Sequence, residues 1–101
     1  MYVVLWRFRP LRDQESEFEQ TYGPSGEWTR LFRRGDGYLS SELLQHSDDP
    51  REYLVLDRWA SRPAYEAFRA RFSSEYRQLD RRLEELTEEE APMGTFETLS
   101  Q

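Results

Sequence analysis

The sequence contains no cysteine, lysine, asparagine or isoleucine, and its only histidine is His46. Without cysteine there is no thiol nucleophile, disulfide or thiolate metal site, and without lysine there is no Schiff base. One histidine cannot build a histidine cluster for a metal, and because the ligand sets and phosphate-binding loops that haem, flavin or metal sites need are missing, no cofactor is expected. Long apolar runs are also missing: no stretch approaches the ~18 residues of a membrane span. Met1 leads straight into a strand-like run rather than a signal peptide, so the expected location is cytoplasmic and no membrane partner is expected.

What is present is a chain of 101 residues with net charge -6, a length that predicts one domain over 1–101. Charged residues make up 34% and apolar ones 37%, but 15% are aromatic, so the core must be built from large rings. That aromatic content argues against disorder. Basic residues alternate with carboxylates, leaving no concentrated basic face for nucleic acid. The densest basic group, Arg30, Arg33 and Arg34, reads as a solvated helix end.

Residues 2–8 are β-branched and aromatic and stop before Pro10, which predicts a strand. Residues 13–22 read as a helix ended by Gly23, and Trp28, Leu31 and Phe32 restart helical spacing after Pro24-Ser-Gly26. Residues 38–46 and 52–59 read as two strands, and their link of four residues, Ser47-Asp-Asp-Pro50, is too short for a crossover, so they pair antiparallel. Ser61 caps a helix carrying Tyr65, Phe68 and Phe72, and a second helix runs from about Ser74 to Leu86. Thr87 followed by Glu90 has the form of a capping box opening a further helix, and 94–99 reads as a last strand. The order is strand, helix pair, strand, then strand, helix pair, strand. That order predicts an α+β fold with a ferredoxin-like antiparallel sheet and helices on one face.

With His46 set opposite Arg51, Tyr38, Ser40, Glu42, Leu44 and His46 share a face with Tyr53, Val55, Asp57 and Trp59. Both sheet faces then carry large apolar groups while the helices cover only one. A second copy of the chain is the simplest cover for the other, so a homodimer is expected.

No nucleophile elbow, phosphate loop or dinucleotide fingerprint is present. The chemistry-bearing constellation lies on the Trp59 face: Tyr38, Ser40, Glu42, Asp57 and Trp59, with Trp6 near them. A desolvated carboxylate there has a raised pKa suited to proton transfer; the opposing reading pairs Asp57 or Glu42 with an arginine as structure. Trp28, Phe68 and Tyr76 read either as core rings or as stacking walls. His46 reads as an exposed strand end.

The run Tyr53-Leu-Val-Leu-Asp57-Arg58-Trp59-Ala-Ser61 followed by Tyr65 and Phe68 resembles the hairpin-to-helix segment of the antibiotic biosynthesis monooxygenase family. So do Phe18 with Tyr22-Gly-Pro-Ser-Gly-Glu-Trp28, Gly37-Tyr-Leu, and the end from Leu86-Thr87 to Gly94-Thr-Phe96. The resemblance implies a dimeric α+β barrel, each subunit holding a pocket between its sheet and helices. Members include cofactor-independent oxygenases of phenols or quinols, haem-degrading enzymes and isomerases. The haem-degrading branch relies on an Asn, a Trp and a His, and this chain has no Asn, carries Phe68 near the Trp position and has no His in the next helix. The resemblance therefore points to a cofactor-independent monooxygenase of an electron-rich aromatic small molecule, with Tyr38 or Arg58 standing in for the family's substrate-binding Asn. Asp57 would be the base and Tyr38 a hydrogen-bond donor, with Trp59, Trp28 and Phe68 as stacking walls and Glu42 and Arg58 as further substrate contacts. The alternatives are a non-catalytic binding or accessory dimer, and an isomerase or cyclase using the same carboxylate.

Overall fold

In the computed structural model, which describes residues 1–99, the chain forms four strands and four helices. Strand β1 (Tyr2–Pro10) leads into helices α1 (Glu15–Tyr22) and α2 (Glu27–Phe32). Strands β2 (Tyr38–Gln45) and β3 (Tyr53–Trp59) follow, then helices α3 (Arg62–Arg71) and α4 (Ser73–Leu83), a single 3-10 turn and strand β4 (Thr87–Glu97). The sheet order is β2-β3-β1-β4 with every neighbouring pair antiparallel, the ferredoxin-like arrangement expected from the element order. Among the described residues no helix is long and apolar enough to cross a membrane.

Alternation along β1 and β3 decides which face the helices cover. Tyr2, Val4, Phe8, Tyr53, Val55, Asp57 and Trp59 are buried beneath the helices, while Val3, Leu5, Leu54 and Leu56 on the other face are only partly buried. The core is a continuous ring cluster. Fully buried Trp59 meets Phe32, Tyr38 and Tyr65 edge-on at centroid distances of 5.8, 5.3 and 5.5 Å and lies 4.9 Å from Phe68. Each such contact adds roughly 0.5–1.5 kcal/mol beyond the area it buries. At the helix starts, Ser61 caps α3 as expected, its Oγ accepting from the Ala64 N–H at 3.2 Å with Pro63 in the first turn.

Three expectations are corrected. The segment opening at Thr87 is strand, not helix: β4 runs the length of β1, and Glu89 and Glu88 are drawn into ion pairs with Arg7 and Arg51 at 3.3 and 2.8 Å. The unpaired edge of β1 outweighs the local capping signal. The last strand accordingly covers Thr87–Glu97 rather than 94–99.

The third correction concerns register. His46 stands opposite Glu52, not Arg51, because its N–H bonds the Glu52 carbonyl at 2.8 Å around a five-residue turn. Asp49 organises that turn, its carboxylate accepting from the Arg51 N–H at 3.0 Å and its carbonyl from the Glu52 N–H at 3.1 Å. A slip of one residue exchanges the faces of β2, so Ser41 and Leu43, not Ser40, Glu42 and Leu44, face the helices beside Asp57 and Val55. A bulge between Tyr38 and Ser40 then turns the strand again and sets Tyr38 opposite Trp59, on the covered face after all. Gly37 precedes that bulge with φ +90°, and a Cβ there would lie 2.8 Å from the Ala64 Cβ, so both backbone and space require glycine.

Candidate active site

Between the sheet and the helices lies a cavity of about 190 Å³. Its inner part is formed by Trp6 and Phe8 of β1 and by Val55 and Asp57 of β3. Tyr22, Trp28, Thr29 and Phe32 wall one side. The rim is polar and mostly charged: Arg69 of α3, Tyr76 and Asp80 of α4 and Glu90 of β4.

Asp57 is the buried charge of this site, with 7% of its surface exposed. Ser41, its direct cross-strand neighbour, donates from Oγ to Asp57 Oδ1 at 2.6 Å. The Ser41 and Tyr38 hydroxyls are 2.8 Å apart, and since Ser41 spends its single proton on Asp57, Tyr38 donates to Ser41. Among the described residues Oδ2 takes no hydrogen bond, and no arginine lies within ion-pair distance of the carboxylate. Burial pushes the Asp57 pKa up to about 6, against the opposing pull of the Ser41 hydroxyl. Such a carboxylate is ionised at neutral pH yet basic enough to take a proton. Burial also raises the Tyr38 phenol, opposed by its bond to Ser41, so Tyr38 stays protonated.

The rim carries one cation among carboxylates. The Arg69 guanidinium lies 3.8 Å over the Tyr76 ring and donates to the Tyr65 hydroxyl at 3.0 Å. Glu90 is raised by burial and then by its like-charged neighbours Asp80 and Glu84. Burial raises the Tyr76 and Tyr22 phenols too, in the latter against the nearby Trp28 indole, whose Nε1 falls short of hydrogen-bond geometry. Among the described residues no group of three His, Asp or Glu side chains could hold a metal ion.

The structure brings together some of the residues singled out from sequence. Asp57 and Trp28 line the cavity, and Tyr38 reaches Asp57 through Ser41. Trp59 and Phe68 sit behind the lining, where both pack on Phe32. Glu42 and Arg58 are not in the site: they share the opposite sheet face, where Arg58 Nη2 is 2.7 Å from Glu42 Oε1. The structural pairing thus belongs to Glu42, and Asp57 is free of it. Tyr76, read as a ring of the core or of a stacking wall, lines the cavity, whereas Ser41, Arg69, Asp80 and Glu90 have sequence signals that are faint or misleading. Helical spacing links Tyr65 to Arg69 and Tyr76 to Asp80, but Ser41 needs the true register and Glu90 was hidden in the apparent capping box.

The model of the antibiotic biosynthesis monooxygenase family matches residues 1–82. The chain belongs to that family. The antibiotic biosynthesis monooxygenase match ends within α4, so β4 and its Glu90 lie beyond it. Solved structures with this fold include SnoaB, a cofactor-independent oxygenase from Streptomyces nogalater, with TM-score 0.72 and 20% identity over 99% of this chain and 94% of that one. Rv0793 from Mycobacterium tuberculosis has TM-score 0.70 and 23% identity over 99% and 96% of the two chains. PA3566 from Pseudomonas aeruginosa has TM-score 0.67 and 15% identity over 98% and 94%. At these identities the likeness is one of fold. No curated protein matches the sequence.

Proposed function

We propose that the protein is a cofactor-independent monooxygenase of a small, electron-rich phenol, quinol or anthrone-like compound. The observation that carries this reading is Asp57: a carboxylate with one oxygen unbonded, facing an aromatic-walled cavity, with a pKa of about 6. In this reading Asp57 Oδ2 takes a proton from an acidic C–H or O–H of the substrate. The resulting anion gives one electron to dioxygen, the radical pair combines at carbon, and water leaves from the hydroperoxide. For a methylene centre the balance is CH2 + O2 → C=O + H2O, with both hydrogens ending in the water.

Trp6, Trp28 and Tyr76 supply ring faces, and Arg69 is the cation available to a developing oxyanion at the rim. Trp59 and Phe68 hold the lining from behind. Glu42 and Arg58 take no part. At about 190 Å³ the cavity is smaller than the roughly 300–1,000 Å³ of pockets for drug-sized ligands, which favours substrates of one to three rings over larger polycycles.

The test is oxygen uptake with a panel of phenols, hydroquinones and anthrone. Uptake matched by product, and lowered by roughly two to four orders of magnitude in Asp57→Ala, supports the proposal. Tight binding without uptake would replace it with an accessory binding role, and a product isomeric with its substrate would replace it with an isomerase or cyclase.

The same reading includes a homodimer. Val3, Leu5, Leu54 and Leu56 form an apolar patch on the open face, extended by Leu44 and Phe96 at 40% and 52% exposure. Another copy presenting that face would bury it.

A further inference from the structure

We propose that Ser41 is a positioning residue for Asp57: it ties Oδ1 to the sheet, leaves Oδ2 as the oxygen available to the cavity, and is itself oriented by the Tyr38 hydroxyl. The inference rests on Asp57 being the base proposed above.

The geometry is set by the ladder. Ser41 is directly opposite Asp57, where cross-strand side chains are near enough for a short hydroxyl to reach the carboxylate at 2.6 Å. A hydroxyl has one proton and rotates freely, so Ser41 alone would point toward or away from the carboxylate. The Tyr38 hydroxyl, 2.8 Å away, occupies the acceptor side of Ser41 and directs its proton to Asp57. Tyr38 can do this only because the Leu39 bulge returns it to the covered face. The chain Tyr38 to Ser41 to Asp57 is thus one-directional. It stabilises the ionised carboxylate, the form a base requires, in a place where burial opposes ionisation.

Other titratable groups face the same space: Tyr22 of α1, Arg69 of α3, Tyr76 and Asp80 of α4, and Glu90 of β4. None of them hydrogen-bonds to Asp57. Ser41 is therefore the one protein group among the described residues whose removal strips the carboxylate of direct support.

The first test needs no substrate. With the full chain carrying carbon-13 at aspartate side chains, Ser41→Ala should move the Asp57 titration midpoint up from about 6 by about one to two pH units, as loss of a hydrogen bond to an ionised group requires. Ser41→Thr, which keeps a hydroxyl on the same carbon, should restore it. Tyr38→Phe should give a smaller shift in the same direction.

With anthrone or a hydroquinone as probe, the acid limb of the kcat profile should move with that midpoint while KM holds. An Asp57 midpoint unmoved in both Ser41→Ala and Tyr38→Phe would overturn the proposal, as would a Thr variant that behaves like Ala. A shifted midpoint in a protein that consumes no oxygen would uphold the arrangement and reject the oxygenase reading instead.

Discussion

Ser41 and Asp57 stand opposite each other across the β2–β3 ladder, Oγ to Oδ1 at 2.6 Å, and this hydroxyl is the carboxylate's hydrogen-bond support. Burial makes this carboxylate costly to ionise even with that bond, which gives the protein a measurable pH signature.

Asp57→Asn should stabilise the fold at pH 8 while removing turnover. The folded-state pKa is raised from 3.8 to about 6, so the folded protein holds a proton that the unfolded chain has released between those values. Stability from the protonated form is complete below about pH 3.8 and is lost as pH rises through about 6. Above that, ionised Asp57 costs about 3 kcal/mol. Urea denaturation should show the variant ahead of wild type at pH 8 and the gap closing toward pH 4. A variant less stable at pH 8 would mean the carboxylate is anchored by more than Ser41.

Phe68→Ala should lower stability by about 3–5 kcal/mol, since Phe68 is 2% exposed and packs on Trp59, Phe32 and Phe72. Thermal unfolding measures it. A near-neutral substitution would mean that the ring cluster collapses readily around the deletion.

Gly37→Ala should cost about 1–3 kcal/mol, because alanine is strained at φ +90° and its methyl would meet Ala64. The same change should disturb Tyr38, so the Asp57 titration is expected to shift upward alongside the loss in stability. Stability lost with the titration unmoved would separate the turn from the site.

Glu42→Ala and Arg58→Ala should leave binding of a cavity ligand unchanged, since their pair lies on the far face of the sheet. A double-mutant cycle on stability should give a coupling of about 0.2–1 kcal/mol, the range of partly exposed ion pairs. Loss of ligand affinity in either variant would contradict their placement.

Light scattering at micromolar concentration should give about twice the 12.2 kDa chain mass, and Leu56→Glu should reduce it to that of one chain. A monodisperse wild-type monomer would leave the apolar open face without its proposed cover.

The sequence by itself determined the elements from β1 to α4 and their order, because period-2 and period-3.6 patterns, the Ser61 cap and the breaks at Pro24 and Gly35 are local properties of the chain. It also determined that Asp57 faces the same way as Trp59, since two residues along any strand share a face. Other features depended on groups far apart in sequence. The register of β2 followed from how Asp49 closes its turn, and one residue of difference there exchanged Glu42 for Ser41 beside the carboxylate. Tyr38 reached the site through a bulge that no alternation foretells. Thr87 to Glu90 became strand because β1 offered an unpaired edge, which placed Glu90 at the rim. Arg69, Tyr76 and Asp80 met that rim only through the packing of α3 and α4 over the sheet. Local chemistry sets what each segment can form, but hydrogen-bond pairing between distant segments sets which side chains face one another, and a site is made of such meetings.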